Sequence, residues 1–522
     1  MAAFDETFDW VVVGSGAGSM ASALVMRKAG KSVVVLEKTQ YLGGTTAKSG
    51  GVMWIPNNRF LRADGENDSA EAGLAYLEAL QQLDGGDAPG STREKRQAYV
   101  NEAPRMLDFL VEQGVQLQRG HPFWPDYYDE LPGGCKTTRT VVASPFNRKE
   151  LGPLADVLRP GFLEVNATLS EGVQLGHART NPGAKKMLLK IVLRTIRDKL
   201  LGRRYTTAGA ALQGRMIKAA MGAGVDLRTR AGVKEILVEN GRTVGVVIEK
   251  DGQPWRIGAN LGVLVNAGGF AQNQAMRDKY MPSTRAEWSQ TPEGDTGEMQ
   301  LELERLGGRL AQMDQMVGFQ MTMAPGTEND YVKPGMQAVT GKPHAILVDQ
   351  SGQRYMNEGG SYELYCENMV KRNRTVPAIP SWAIVDSQFA AKYQLGGKWL
   401  DKGVPKAWEG KGYLHTADTI EGLAQSIGVD PAALKATVDR WNGFASAGRD
   451  EDFHRGEREY DNCPYVGDPY SPARSLGTIE KGPFFAAPVV PGDVSTYGGV
   501  VTDEKARVLG PDGAPIPGLY AT

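Results

Sequence analysis

The chain of 522 residues carries 59 basic and 61 acidic side chains, which leaves a net charge of −2 and a pI near 6.3. Because the charges balance and no basic tract dominates, nucleic acid is not expected as a partner. The length exceeds what one hydrophobic core normally supports, so we expect an α/β protein with more than one domain.

Residues 1–7 are polar and acidic, and the first apolar run follows them. We therefore expect no targeting segment, and no stretch of about 18 apolar residues predicts a membrane span. Cys135, Cys366 and Cys463 are far apart and lack metal-ligand spacing. This cysteine usage predicts reduced thiols in a cytoplasmic protein and no metal site.

The first motif reads FDWVVVGSGAGSMASALVMRKAGKSVVVLE and predicts a buried strand, a glycine turn, a helix and a second strand. Gly14 permits the tight turn, and Gly16 lets a pyrophosphate approach the helix N-terminus. Glu37, which closes the second strand, is placed to bind a ribose hydroxyl. Ser19 replaces the usual third glycine with another small residue. A bound dinucleotide is predicted, held by Gly14, Ser15, Gly16, Ala17, Gly18, Ser19 and Glu37.

A second glycine-rich turn, GGTTAKSGG, follows within fifteen residues of Glu37. Nicotinamide-binding units rarely need such a loop, whereas a larger flat ligand with a diphosphate benefits from more exposed backbone N–H groups. The alternative is a flexible surface loop. We interpret the pattern as an FAD site, with further contacts from Gly44, Thr45, Thr46, Ser49, Gly50 and Gly51.

Residues 54–220 are predicted to be mostly helical, and apolar spacing favours helices at 70–82 and 93–114. Residues 185–204, KKMLLKIVLRTIRDKLLGRR, form an amphipathic helix in which Leu188, Leu189, Val192, Leu193, Ile196 and Leu200 share a face. Two interpretations remain: peripheral contact with anionic lipid, or a solvated cationic face over an ordinary core helix. The sequence alone favours the core helix.

Residues 225–250 alternate like paired strands with a turn at Asn240 and Gly241. Residues 262–270 then predict a buried strand beside the first sheet, with Gly268 and Gly269 near the cofactor; the alternative is a strand followed by an ordinary turn. A change to Met-rich and aromatic segments indicates a second domain, including a helix at 430–447, before a final hairpin and the strand GLYA. We expect an FAD-binding domain at 1–285, an inserted domain at 286–475, and a return at 476–522.

Strings along the whole chain resemble the 3-ketosteroid Δ1-dehydrogenases within the fumarate-reductase-like FAD enzymes. GSGAGSMASA, LGGTTAKSGG and NAGGF are shared by the larger group, whereas PDYYDELPGG, NEGGSY and NGFASAGRDEDFHRG are more specific to the steroid enzymes. The resemblance implies a Rossmann-like FAD-binding domain with an inserted α+β catalytic domain. It also adds Lys38, Val233, Ala267 and Asp295 to the cofactor-binding residues.

The family reaction is the 1,2-dehydrogenation of a 3-ketosteroid, in which C2 loses a proton and C1 a hydride to flavin N5. An external electron acceptor is then needed. Tyr362 in NEGGSY matches the proton-abstracting tyrosine, and Tyr127 in PDYYDE matches a tyrosine that supports it, with Tyr128 as the alternative. A free phenol has a pKa of about 10, so we expect phenol pairing or a helix dipole to favour the phenolate.

Family members continue past GLYA with a glycine–asparagine pair, a helix and a Tyr-x-x-x-Gly motif that binds the C3 carbonyl oxygen. This sequence ends at Thr522, and neither Tyr497 nor Tyr520 has the matching context. The resemblance therefore predicts a longer native protein, with reduced activity and weaker flavin retention for the 522-residue form. If the 522-residue form were as active as a C-terminally extended form, this expectation would be contradicted.

Three other functions stay open. A fumarate-type reductase shares the FAD architecture, although none of the five histidines has a context typical of that subgroup. A 3-ketosteroid Δ4-(5α)-dehydrogenase is closer in chemistry, and a non-catalytic flavin-binding protein is the alternative from another class.

A steroid presents mostly hydrocarbon, so the substrate pocket is expected to be long and apolar. Candidate lining residues are Trp54, Phe123, Trp124, Phe319 and the methionines at 313, 316, 321 and 323. Such stripes also build ordinary cores. The amphipathic segment would suit a membrane-dissolved substrate of the cholest-4-en-3-one type.

Overall fold

The computed structural model describes residues 4–83, 85–120 and 124–522. Phe123, a predicted pocket residue, lies outside these ranges. The elements up to residue 228 are β1 (Glu6–Val13), α1 (Ala17–Lys28), β2 (Val33–Leu36), α2 (Gly44–Lys48), β3 (Met53–Trp54), α3 (Arg59–Ala63), α4 (Ala70–Leu83), α5 (Arg93–Glu112), β4 (Leu117–Arg119), β5 (Thr140–Ala143), β6 (Phe146–Asn147), α6 (Leu169–Leu175), α7 (Ala184–Leu200), β7 (Tyr205–Thr206), α8 (Ala208–Gly222) and β8 (Asp226–Arg228).

The elements after residue 228 are β9 (Val233–Glu239), β10 (Arg242–Lys250), β11 (Gln253–Val265), α9 (Gln274–Tyr280), α10 (Glu298–Arg305), β12 (Leu310–Ala311), β13 (Met316–Met321), α11 (Gln337–Thr340), β14 (Ala345–Val348), α12 (Tyr362–Asn373), β15 (Ser381–Val385), α13 (Ser387–Lys392), β16 (His415–Ala417), α14 (Ile420–Ile427), α15 (Pro431–Ala447), α16 (Glu459–Asn462), β17 (Phe484–Thr496), β18 (Gly499–Val500), β19 (Arg507–Leu509) and β20 (Pro515–Ala521). Short 3-10 helices span Arg148–Leu154, Ala286–Trp288 and Lys406–Trp408.

A parallel sheet with the order β20, β11, β1, β2 and β8 forms the centre of the first unit. The apolar run of β1 is continuous because both faces of this sheet are covered: Val12 packs with α1 and α8, and Val11 packs with β10 and α10. Strands β9 and β10 extend β11 as an antiparallel meander. The turn between them uses Asn240 and Gly241 at φ 50° and 74°, as predicted for a tight hairpin.

The region from 54 to 220 is less purely helical than predicted. Helices α4 and α5 match the predicted segments, but β3, β4 and β5 form a small antiparallel sheet, and β6 pairs with β7. The second glycine-rich turn contains the short helix α2, which begins after Gly43 in a left-handed conformation (φ 117°). Glycine adopts this backbone conformation without the steric cost that other residues incur.

The helix α7 contradicts the core-helix interpretation. The six apolar residues assigned to its buried face are 43–84% exposed, and the side facing the protein carries Ala184, Ile191 and Asp198 instead. The prediction grouped the apolar residues correctly on one side of α7, but that side points away from the core.

A second sheet, in the order β13, β17, β15 and β14 with β16 alongside β17, forms the inserted unit. Helix α15 shows how local sequence sets its limits. Asp430 caps it by accepting hydrogen bonds from the N–H groups of Ala432 and Ala433, Pro431 occupies its first turn, and Gly448 ends it at φ 74°.

Strand pairing places the end of the inserted unit near residue 496, later in the chain than the predicted boundary at 476. β17 belongs to the inserted sheet through Thr496, and the chain rejoins the first unit at β18, which pairs with β12. Met299 and Leu303 of α10 also belong to the core of the first unit, although they follow residue 286. We therefore propose residues 316–496 as the inserted unit.

The C-terminal segment also differs in detail from its prediction. GLYA is not a separate strand after a hairpin but the end of β20, which pairs antiparallel with β19 and parallel with β11.

Candidate active site

The hydroxyl of Ser15 joins three of the predicted cofactor-binding elements. It donates a hydrogen bond to Glu37 Oε2 at 2.5 Å and accepts one from the backbone N–H of Gly43 at 2.9 Å. The other carboxylate oxygen of Glu37 accepts from the N–H of Thr39 at 2.9 Å. The first glycine turn, the acid after β2 and the second glycine turn are therefore one hydrogen-bonded unit.

Two positions of the first turn must be glycine because Asn266, which follows β11, leaves no room there for a Cβ atom. A Cβ added to Gly14, at φ 95°, would lie 2.1 Å from the Asn266 carbonyl oxygen. A Cβ added to Gly16 would lie 2.9 Å from Asn266 Oδ1, which also accepts a hydrogen bond from Ser19 Oγ at 2.9 Å. The small Ser19 thus gives close helix–strand packing, as expected.

A cavity opens at the carboxyl ends of β1, β2 and β11, where doubly wound folds bind nucleotides. Twelve of the predicted residues line it, namely Gly14, Ser15, Gly16, Glu37, Lys38, Gly44, Thr45, Thr46, Val233, Ala267, Gly268 and Asp295. Thr39, Arg159, Asn266, Gly294, Glu298 and Ser495 also line it and were missed. Asn266 had a sequence signal, because it begins the NAGGF string.

Six predicted residues lie elsewhere. Ala17, Gly18 and Ser19 belong to α1 behind the turn. Ser49, Gly50 and Gly51 do not line the cavity: the Ser49 carbonyl accepts from the N–H of Gly209 at 3.0 Å, and a Cβ on Gly51 would meet Gly209 Cα at 2.7 Å. The glycines of this turn therefore allow close packing against α8, and their cofactor contact stays a prediction.

The hydrogen bonds of Asp295 indicate which kind of ligand suits the cavity. Its Oδ1 accepts from the N–H of Gly269 at 2.5 Å, whereas its buried Oδ2 has no hydrogen-bond partner among the described residues. Burial raises the pKa of this carboxyl to about 6. A buried acceptor without a partner is costly unless a ligand hydroxyl satisfies it. Together with the glycine turns and Glu37, this arrangement fits a hydroxyl-rich dinucleotide such as FAD.

Three tyrosines from distant parts of the chain meet in the second part of the site. The ring centroids of Tyr127 and Tyr362 are 5.5 Å apart, and those of Tyr127 and Tyr460 are 4.8 Å apart. Phe319 lies 6.3 Å from the ring of Tyr362. The hydroxyls of Tyr127 and Tyr362 are hydrogen-bonded to each other, whereas the ring of Tyr128 lies 4.8 Å from the Arg458 guanidinium. The geometry thus selects Tyr127 rather than Tyr128 as the partner of Tyr362.

The environment of this pair has opposing effects on its protonation. Burial raises the pKa of Tyr362 to about 12, the nearby Glu363 carboxylate acts in the same direction, and the hydrogen bond from Tyr127 lowers the pKa. Burial also raises the pKa of Tyr127 well above its ordinary value. The hydrogen bond therefore lowers the pKa of Tyr362, as predicted, but the loss of hydration on burial raises this pKa by more.

Carboxylates connect the segments that carry these tyrosines. Asp129 accepts from the N–H groups of Glu459 and Tyr460, both at 3.3 Å, at the start of α16. Asp461 in turn accepts from Asn357 Nδ2 at 3.1 Å, five residues before Tyr362. The PDYYDE, EREYD and NEGGSY strings therefore form a single hydrogen-bonded unit.

A buried ionic cluster fixes the turn before α12. Glu358 binds the Arg354 guanidinium at 2.7 Å, and Arg354 also binds Asp450 at 2.8 Å. Arg455 lies 3.3 Å from Glu358 and donates to the Ala345 carbonyl at 2.9 Å. Each charge of the cluster has an oppositely charged partner, although Arg455 Nε has no hydrogen-bond partner among the described residues, and the cluster holds the turn that precedes Tyr362.

Lys342 stabilises another segment beside the tyrosines. Its fully buried ammonium donates to the carbonyls of Val466 at 2.8 Å and Gly467 at 2.5 Å, and burial lowers its pKa to about 8. This segment carries Tyr465, whose raised pKa includes an electrostatic contribution from Tyr362. Sequence reasoning missed Lys342, Tyr460 and Tyr465. Tyr460 lies four residues after the NGFASAGRDEDFHRG motif.

The predicted pocket residues separate into different surroundings. Phe319 reaches Tyr362, and Met321 and Met323 pack in the cluster that includes Phe319. Met313 and Met316 instead pack around Phe270. Trp54 stacks on Tyr99 at 6.0 Å and donates to Asp126, and Trp124 packs against Val142, Leu169 and Ala208.

Comparison with known proteins agrees with this geometry. Residues 9–522 match the family model of the FAD binding domain. A 3-oxosteroid 1-dehydrogenase of Mycolicibacterium smegmatis is 35% identical over 99% of this chain and 91% of that protein. A 4-oxocyclohex-2-ene-1-carboxylate 5-dehydrogenase of Sinomonas cyclohexanicum is 34% identical over 98% of this chain and 88% of that protein.

The solved 3-ketosteroid delta1-dehydrogenase of Sterolibacterium denitrificans, in complex with 1,4-androstadiene-3,17-dione, has a TM-score of 0.90 and 33% identity, with 99% of this chain and 93% of that one covered. Fold, cavity and comparisons together define an FAD-dependent oxidoreductase of the fumarate-reductase-like class. Within that class, the chain belongs to the 3-ketosteroid Δ1-dehydrogenase family, as the sequence motifs predicted.

Proposed function

We propose that the protein removes hydrogen from C1 and C2 of a 3-ketosteroid and that Tyr362 takes the C2 proton on its hydroxyl oxygen. The observation that supports this role is the buried hydrogen-bonded pair of Tyr127 and Tyr362. The C1–H and C2–H bonds break as the C1–C2 double bond forms. FAD, when bound, supplies the acceptor for the C1 hydride, and an external acceptor must later remove the two electrons.

Tyr127 acts through Tyr362 in this proposal. When Tyr362 is a phenolate, only Tyr127 has a hydroxyl proton to donate, so the hydrogen bond between them stabilises the phenolate that abstracts the proton. Because the pKa of Tyr127 is also raised by burial, this donor keeps its proton while Tyr362 reacts. Tyr127 is therefore a positioning and pKa-tuning residue.

The substrate class follows from the surroundings of Tyr362. Phe319, Tyr127 and Tyr460 give this region an aromatic surface, which suits a hydrocarbon ring system. A small oxo-acid is the second candidate, because the Sinomonas relative is named for one.

Substrate oxidation with an artificial electron acceptor tests this assignment. The FAD-loaded protein is incubated separately with androst-4-ene-3,17-dione, cholest-4-en-3-one, 4-oxocyclohex-2-ene-1-carboxylate and, under reducing conditions, fumarate. We expect acceptor reduction and a 1,4-diene product with a steroid. Turnover of the oxo-acid alone, of fumarate alone, or of none of the four would contradict the proposal.

The pH dependence of turnover follows from the raised pKa of Tyr362. With a pKa of about 12, the phenolate is scarce at neutral pH, and its fraction rises about tenfold with each pH unit. We therefore expect kcat/KM to increase from about pH 7 to about pH 10 at saturating FAD. The measurement is kcat/KM for androst-4-ene-3,17-dione across this range. A flat or falling profile would contradict the assignment of Tyr362 as the base.

Tyr127→Phe should shift this profile. Without the donor, the pKa of Tyr362 rises further, so we expect kcat/KM near neutral pH to fall by about tenfold and the rise to move to higher pH. Tyr128→Phe is the matched control, because the Tyr128 ring faces Arg458. The two profiles, with flavin content, are compared with wild type. An unshifted Tyr127→Phe profile, or an equal shift in Tyr128→Phe, would refute the role of Tyr127.

A further inference from the structure

Three cations that the proposed chemistry does not use surround Tyr331, in the loop before α11. The Lys48 ammonium lies 4.2 Å from the centroid of the Tyr331 ring, and the Tyr331 hydroxyl donates to the carbonyl of Pro160 at 2.7 Å. Burial raises the pKa of Tyr331 to about 12, and the Arg159 guanidinium beside it acts in the opposite direction. Lys333 follows two residues later in the same loop. We call Tyr331 with Lys48, Arg159 and Lys333 the Tyr331 cluster.

None of these three cations forms an ion pair with another described residue. Arg159 donates to Thr39 Oγ1 at 3.1 Å, and the Lys333 ammonium donates to the backbone carbonyl of Glu287. Arg159 is only 8% exposed, yet its Nε has no hydrogen-bond partner in the described part of the chain. Because buried donors are normally satisfied, this guanidinium has room for an acceptor that a ligand can supply.

The cations also repel one another. Burial lowers the pKa of Lys48 to about 8, and the charges of Arg159 and Lys333 act in the same direction. Burial likewise lowers the pKa of Lys333. The carboxylates of Glu287 and Glu293 oppose these shifts, but both side chains are exposed. Since neighbouring like charges are costly away from water, a bound anion would relieve the repulsion.

The Tyr331 cluster lies at the edge of the cofactor cavity and is open to solvent. Arg159 lines that cavity together with Thr45 of α2, and Lys48 is the last residue of α2. Tyr331 is 41% exposed, and the side chains of Lys48 and Lys333 are half-buried. An anion from solution can therefore contact the two lysines, while Arg159 connects their surface to the cofactor cavity.

We propose that the Tyr331 cluster binds a small, multiply charged anion that accepts the electrons of the reaction. This role rests on the proposed function, in which each steroid that loses hydrogen from C1 and C2 releases two electrons and two protons. Three cations are complementary to such an acceptor, whereas the steroid meets the aromatic surface around Tyr362. The two reactants thus bind regions of different chemistry.

Ferrocyanide binding tests the site without turnover. This anion is the reduced form of a one-electron acceptor, so it takes no electrons, and calorimetry with the FAD-loaded protein gives its Kd. We expect the wild type to bind it and Lys48→Gln with Lys333→Gln to bind it about tenfold more weakly. Lys371→Gln with Lys435→Gln is the matched control, because it removes the same net charge from exposed lysines on other helices. It should bind like wild type.

Turnover with ferricyanide tests the role of the site. Two ferricyanide ions take one electron each from one molecule of androst-4-ene-3,17-dione, and the two protons pass to water. In Lys48→Gln with Lys333→Gln, we expect kcat/KM for ferricyanide to fall about tenfold and to depend less on ionic strength. The value for a ferrocenium cation should not fall. Wild-type kinetics with ferricyanide in this variant, or an equal loss in the control, would overturn the proposal.

The Kd for FAD and the thermal midpoint of each variant identify the other occupants of the site. Weaker FAD binding by a folded Lys48→Gln with Lys333→Gln would assign the cations to the cofactor phosphates and overturn the proposal. So would slower turnover of 3-oxoandrost-4-ene-17β-carboxylate alone, or no ferrocyanide binding by the wild type. Ferrocyanide binding that depends on the two lysines, without turnover of any steroid, would refute the proposed substrate but support the anion site.

Discussion

Tyr362→Phe is expected to lower kcat for steroid 1,2-dehydrogenation by about a hundredfold to ten-thousandfold while FAD stays bound. The change removes only the hydroxyl oxygen that is proposed to take the C2 proton, and general-base catalysis contributes on this scale. The ring remains able to pack against Tyr127 and Phe319. The measurement is kcat at saturating substrate, together with the flavin absorbance of the purified variant.

Tyr413→Phe is the control for this substitution. Tyr413 is also buried, and its hydroxyl accepts a hydrogen bond from Thr322 at 2.8 Å within the core of the inserted unit. The control should lose stability but keep kcat near wild type. If Tyr362→Phe retains turnover within about threefold of wild type, Tyr362 is not the base.

Glu37→Ala is expected to weaken FAD binding by about tenfold to a hundredfold. The substitution removes the carboxylate predicted to bind the ribose, and it leaves the Ser15 hydroxyl without the acceptor that it contacts at 2.5 Å. Hydrogen bonds to a charged group contribute about 1.5–3 kcal/mol each, which corresponds to this range. The Kd is measured by quenching of flavin fluorescence when the apoprotein is reconstituted.

Glu102→Ala provides a matched control because Glu102 lies on the exposed face of α5, where it pairs with Arg105. It should bind FAD like wild type. The thermal midpoint of each apoprotein separates lost affinity from lost folding. Wild-type affinity in a folded Glu37→Ala variant would remove Glu37 from the cofactor site.

The glycine-rich turns and the acidic residue of the candidate cofactor site could be predicted from the sequence because their motifs are local. Gly14, Gly16 and Glu37 lie within one strand–helix–strand unit, where spacing in sequence fixes spacing in space. Asn266 and Arg159 could not be placed in the same way, since their positions at the cavity depend on how distant strands and loops pack.

The prediction of the tyrosines in the candidate site depended on the family resemblance. No periodicity distinguishes Tyr127 from Tyr128, and only the folded chain shows one beside Tyr362 and the other against Arg458. The direction of α7 was not predictable either. An amphipathic pattern gives the two faces of a helix but not which of them meets the core, and here Ile191 faces inward while Leu193 faces out.

The carboxylate ties around the tyrosines have a consequence for the order in which the chain folds. Asp129 meets the start of α16 across 330 positions of sequence, whereas Ser15 reaches Glu37 and Gly43 across only 22 and 28. Contacts between remote segments require the closure of long loops and therefore form late. A chain emerging from the ribosome can arrange its glycine-rich turns early, but Asp129 can meet the start of α16, and so bring Tyr127 next to Tyr460, only after residue 460 has been synthesised.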